Sequence, residues 1–152
     1  MGKMIAEQEV SLSLISEFLE EAAWNIKHID NRLMLHSLRG FEFSIYQDEA
    51  RKFLIFNAYF EINGRFEEAI SLANKLNNDV FMTRFSIDKD GDLSISYSMS
   101  YERGLIMGQL SRVTLRFSDL LGHVVDKFDT NGEVFELGKE SQPKASGPTT
   151  LQ

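Results

Sequence analysis

The most constraining feature of this chain is a change of period near its middle. Phe66, Ala69, Ile70, Ala73 and Leu76 recur at spacings of three and four, which is one face of a helix. Glu67, Glu68, Ser71 and Lys75 fall on the opposite side. Asn63 or Gly64 stands where an N-cap belongs. Asn77-Asn78-Asp79 supplies a stop, because asparagine tolerates the left-handed cap conformation. From Val80 the period becomes two. Phe81, Thr83, Phe85 and Ile87 point one way, and Val80, Met82, Arg84 and Ser86 the other. After Asp88-Lys89-Asp90-Gly91-Asp92 the alternation resumes, with Leu93, Ile95, Tyr97 and Met99 against Ser94, Ser96, Ser98 and Ser100. The Asp-Gly step supplies the positive φ of a tight turn, so the stretch predicts a helix followed by a β-hairpin.

The flanking chain extends this pattern. A first helix is expected from Ser11 to about Lys27, with Leu12, Ile15, Phe18, Leu19, Ala22 and Ile26 inward and Trp24 sealing its edge. His28 to Asn31 reads as a connection. Three strands follow, at Arg32–Ser37, Phe41–Tyr46 and Phe53–Ile62. The last is apolar on both faces and demands cover on both, from a second layer of this chain or a second subunit. A long helix is expected from Leu105 to Phe128, with Ile106, Leu110, Val113, Phe117, Leu120, Leu121, Val124 and Phe128 as its stripe. Met107, Leu115 and Val125 widen that stripe. The expected sheet has five strands. Residues 1–10 read as an N-terminal extension, 11–137 as a single domain and 138–152 as a disordered tail holding both prolines.

Composition narrows the function. A net charge of −7 argues against nucleic-acid binding, which needs a basic patch to neutralise phosphate. No cysteine is present, which excludes disulfides, thiolate catalysis and cysteine-based metal sites. The first residues lack a signal-peptide core and no apolar run is long enough to span a bilayer, so the reading is cytoplasmic with no membrane partner. Twelve phenylalanines predict a core built on aromatic packing.

No motif carries catalytic chemistry, and no enzyme activity or cofactor is implied. The Asp88–Asp92 run fails the calcium-loop pattern, because glycine falls at position 4 and Leu93 at position 6. Asp119, His123 and Asp126 have ligand-like helical spacing, yet they lie on the polar face of the last helix, where such groups are ordinary. The row Ser94, Ser96, Ser98, Ser100 reads as a solvent face. Its functional alternative is an edge strand at which another backbone adds, and Arg84 is the candidate ion-pair or partner contact beside it.

The helix, the Ala73-Asn74-x-x-Asn77 step, the aromatic strand with Arg84, and Asp88-x-Asp90-Gly91-Asp92 before a second strand resemble the YbjN-type domain of bacteria. The likeness runs roughly from Ser11 to Phe128. It implies an α+β fold similar to type III secretion chaperones: helix, antiparallel strands, helix, β-hairpin, long C-terminal helix. Asn74, Asn77, Asp88, Asp90, Gly91 and Asp92 would be structural positions of that pattern. The family is described as a sensory-transduction regulator, a label that implies no known chemistry, and the likeness to the secretion-chaperone fold implies a non-enzymatic, dimeric interaction module whose partner is another protein. The alternative is a small-molecule sensor with a phenylalanine-lined pocket between the long helix and the sheet.

Overall fold

The computed structural model describes residues 3–63, 66–80, 82–129 and 134–135. In chain order the elements are β1 (Met4–Ile5), α1 (Leu12–Glu21), β2 (Lys27–Ile29), β3 (Arg32–His36), β4 (Glu42–Asp48) and β5 (Phe53–Phe60). There follow α2 (Phe66–Asp79), β6 (Arg84–Ile87), β7 (Leu93–Ser100), β8 (Leu105–Ile106) and α3 (Met107–Phe128). The expected architecture of a helix, antiparallel strands, a helix, a hairpin and a long final helix is present. The tail from 138, Gly64 and Phe81 lie outside the described residues.

Ser11 opens α1 by accepting a hydrogen bond at Oγ from the Leu14 N–H at 3.2 Å. The helix stops at Glu21 rather than near Lys27. Ala23 turns to φ 76°, its N–H bonds Glu20 O, and the Trp24 N–H reaches back to Leu19 O, each at 3.0 Å. This is a Schellman ending with alanine where glycine is usual. An alanine in that conformation costs about 1–2 kcal/mol, so the sequence carries no stop signal there. The turn sets Trp24 edge-on to Phe43, with centroids 6.1 Å apart. It also frees Lys27–Ile29 to pair with β3, which makes a six-stranded sheet rather than five.

The sheet order is β2-β3-β4-β5-β7-β6, every neighbour antiparallel. Its register aligns Leu33, Ile45, Phe56 and Tyr97 across four strands, and Ala58, Ile95 and Phe85 across three, all on one inner face. The helices pack there. Phe117 of α3 lies 5.5 Å from Phe43 and 5.7 Å from Phe56, ring centre to ring centre. α2 buries Ala69, Ala73 and Leu76, while Ile70 is exposed.

Two expectations about α3 change. Leu105–Ile106 pairs with Met4–Ile5, so the helix begins at Met107, whose N–H donates to Lys3 O at 2.8 Å. Gly104 permits this strap: at φ 119° a side chain is strained, and a Cβ would stand 3.2 Å from Ile5 O. The Glu7 carboxylate braces the same corner by accepting from the Arg103 N–H at 2.8 Å, with Lys52 Nζ at 3.6 Å. That backbone bond holds its pKa below the ordinary value, with Lys52 adding to the effect. Ile106, now in β8, and Leu115 of α3 are exposed, and along the helix Thr114, Ser118 and Gly122 are buried. Ser118 Oγ accepts from the Leu38 N–H, and Arg39 donates to Gly122 O while pairing with Asp126 at 2.8 Å. The helix thus docks the β3–β4 turn with small polar residues that an apolar-stripe count passes over.

Val134 and Phe135 fold onto the inner layer. The Asp129 carboxylate accepts from both of their N–H groups at 2.9 and 3.0 Å, and the Phe135 ring stands 5.1 Å from Phe60. The outer face has no such cover among the described residues. There Phe53 and Ile55 are half-buried, Tyr59 is 53% exposed, and the serines of β7 face outward beside Arg84.

Candidate functional site

The hairpin and the end of α2 form the region that the sequence marks most heavily. Gly91, at φ 86°, turns the chain, and its N–H bonds Asp88 O at 3.0 Å. Asp88 Oδ1 accepts from the N–H groups of Asp90 and Asp92 at 2.9 and 3.0 Å. The first carboxylate of the run therefore closes its own turn. Asp92 has its pKa raised by burial and then by its neighbours Asp88, Glu61 and Asp90. No group of three His, Asp or Glu among the described residues is placed to hold a metal ion. Asp119 and His123 are exposed, and Asp126 pairs with Arg39.

Asn77 ties α2 to the hairpin. Its Nδ2 donates to Phe85 O and its Oδ1 accepts from the Phe85 N–H, both at 2.8 Å. Asn74 is exposed on the same helix. Arg84 is exposed on the outer face and opposite Ser96 in register. Ser94 Oγ accepts from Asn57 Nδ2 at 3.4 Å, Ser96 is buried and Ser98 is exposed.

The hairpin differs from the expected one in a way that matters. α2 continues to Asp79 and Met82 takes φ 65°, so the first strand begins at Arg84 instead of Val80. β7 is then not an edge strand, since it runs between β5 and β6. β6 nevertheless covers only Leu93–Ser96, and among the described residues Tyr97 to Ser100 are paired with β5 alone. Two clefts flank this half-open stretch. The outer, of about 620 Å³, is lined by Asn77, Asp79, Met82, Arg84, Ser96 and Ser98 among others. The inner, of about 350 Å³, lies between α3 and the sheet and includes Met82, Tyr97, Val113, Arg116, Phe117 and Leu120. Phe117 is the one phenylalanine among its described lining residues. The sequence reading missed Arg116 and Met82. Arg116 carries no pattern beyond being a polar residue on a helix, and Met82 sits where a regular strand was expected.

The comparisons agree with this geometry. The family model described as "Putative bacterial sensory transduction regulator", YbjN, matches residues 11–129. The crystal structure of YbjN from E. coli superposes with a TM-score of 0.69 at 14% identity, covering 86% of this chain and 98% of that one. A chain in the HopA1–SchA chaperone–effector complex superposes with a TM-score of 0.51 at 16% identity, covering 71% of this chain and 89% of that one. At such identities these likenesses concern the fold. No protein with a curated description matches the sequence, and no helix among the described residues is long and apolar enough to cross a membrane. With its helices on one face of an antiparallel sheet, and the family model spanning most of its length, this chain belongs to the YbjN family.

Proposed function

We propose that this protein is a non-enzymatic, cytoplasmic interaction module that works as a regulator or chaperone by binding another protein, and that it is a two-fold dimer. The observation that carries the reading is the uncovered outer face of the sheet. Tyr59 and Ile29 are exposed there, and Phe53 and Ile55 half-buried, in one layer with no helix over it among the described residues. Phe53 and Ile55 are neighbours on this face, with Tyr59 beyond Asn57; apolar surface left without cover marks interfaces, and a two-fold axis is the commonest way to bury it. The chaperone–effector complex among the fold relatives supports a protein partner. Arg84 with Ser94, Ser96 and Ser98 is the proposed contact surface.

Light scattering on the full chain at tens of micromolar tests the dimer. A dimer mass for wild type and a monomer mass for Ile55→Asp are expected. A monomer mass for wild type rejects it. Affinity capture from the source cell tests the partner. A specific protein retained by wild type and retained less by Arg84→Glu is expected, and equal retention by both rejects the assigned surface.

A second reading has its own observation, the inner cleft between α3 and the sheet. At about 350 Å³ it is at the small end of ligand sites, apolar with Arg116 at hand. A small molecule that co-purifies with the protein and is displaced by Val113→Trp would favour a sensor over a protein-binding module.

A further inference from the structure

The half-open strand has a specific chemistry of its own. In an antiparallel ladder, successive residues turn their N–H and C=O groups to opposite sides. The Tyr101 N–H donates to Lys52 O at 2.9 Å, on the β5 side. Alternation then directs the N–H and C=O of Ser98 and Ser100 away from β5, into the lane that β6 would occupy had it continued. The chain vacates that lane because Met82, at φ 65°, leads back to α2. Four residues of edge left open by the described residues, Tyr97 to Ser100, amount to about 13 Å at ~3.3 Å per residue.

The walls of the lane differ. On the inner side stand Met82, Val113, Phe117 and Leu120, and on the outer side Ser96, Ser98 and Arg84. Arg84 and Arg116 are exposed and make no ion pair among the described residues, and Asp79 is the one carboxylate among the described lining of both clefts. Arg84 shares the outer side with Asp79 and Arg116 stands on the inner, so in a chain of net charge −7 the described lining carries one cation more than anion.

We propose that this lane takes an extended peptide segment of a partner protein, one alternating apolar and acidic side chains, as an added strand beside Ser98 and Ser100. The inference rests on the protein-binding reading above and names where and how the partner is held. Backbone bonds to Ser98 and Ser100 supply pairing without regard to sequence. Apolar side chains, every second residue, enter the inner cleft. The acidic ones between them face Arg84. The open edge selects a strand over a helix, and Arg84, on the outer side, selects acidic over basic side chains.

The test uses the full-length protein and a blocked hexapeptide alternating valine and glutamate, with a valine–lysine peptide as its counterpart. Backbone amide exchange is read by NMR. The expected result is saturable binding of the glutamate peptide that slows exchange at Ser98 and Ser100 by about ten-fold or more. Arg84→Glu should weaken that peptide about five-fold, from loss of one attraction and gain of one repulsion at an exposed site, and should favour the lysine peptide. Ser98→Pro should abolish binding, because it removes the outward N–H at a place where an edge strand tolerates proline. Ser98→Ala should bind as wild type does. The Arg84 and alanine variants keep the test valid if the proline variant fails to fold.

No binding at about 1 mM peptide overturns the proposal. So does binding that leaves Ser98 and Ser100 unprotected. Protection without peptide that grows with protein concentration also overturns it, by assigning the lane to a second copy. If a natural partner captured by wild type is still captured by folded Ser98→Pro, the lane is wrong and the protein-binding reading stands. If the peptide pairs as described but neither capture nor light scattering yields a protein partner, the lane stands and the wider reading falls.

Discussion

Phe117 is the side chain on which the inner layer depends, and its truncation gives the sharpest test of that layer. It is 3% exposed, at the middle of α3, with its ring within 6 Å of both Phe43 and Phe56, centroid to centroid. Truncating a core phenylalanine to alanine costs about 3–5 kcal/mol, part of it lost transfer energy and part the cavity left behind. Here two tilted ring contacts disappear as well, each worth roughly 0.5–1.5 kcal/mol beyond burial. In the other direction, Phe117 also borders the inner cleft, so the vacated space opens toward solvent and water can occupy some of it. We therefore expect the lower end, about 3 kcal/mol. Against a total of about 5–15 kcal/mol that is a large fraction. It should lower the melting temperature by roughly 6–12 °C, at about 2–4 °C per kcal/mol for a domain of this size. The assay is urea unfolding of Phe117→Ala beside Leu115→Ala, read as the midpoint at unchanged slope. Leu115 lies on the same helix, also apolar, but is 46% exposed, so its loss should cost well under ~1 kcal/mol. Equal midpoints for the two variants would refute the assigned face of α3 and, with it, the packing of that helix on Phe43 and Phe56.

Two further outcomes follow from polar groups. Asn77→Ala removes both 2.8 Å bonds to the Phe85 backbone, so it should destabilise by about 1–3 kcal/mol and speed amide exchange through β6; unchanged exchange there would show that α2 does not hold the strand. Asp92, whose folded pKa is raised, binds its proton more tightly in the folded state, so stability falls as pH rises from the ordinary carboxylate value through the raised one. Asp92→Asn should therefore be more stable than wild type at pH 7, with the difference closing below the ordinary carboxylate range; a difference constant with pH would refute the assignment.

The sequence by itself determined the elements whose signal is repeated over many residues. The alternation from Leu93 to Met99 and the three-and-four spacing of α2 each depend on several side chains that agree, so one misplaced residue does not hide them. The Asp-Gly turn was legible for a different reason, since few residues accept the backbone angle that Gly91 adopts. What only the tertiary structure decided are the places where a single residue, or a pair, yields to a contact distant in sequence. Ala23 ends α1 in a conformation disfavoured for alanine, alongside the docking of Trp24 on Phe43 and the pairing of Lys27–Ile29 with β3. Met4–Ile5 and Leu105–Ile106 form two-residue strands, too short to have a period at all. The half-open edge of β7 has the same origin. Local pattern favours a strand from Val80, but α2 runs to Asp79 with Leu76 buried in the core, and Met82 turns the chain to meet it. Periodicity reports a segment's preference for a face. Where two segments compete for the same stretch of chain, the buried area and hydrogen bonds of the assembled layers decide the boundary.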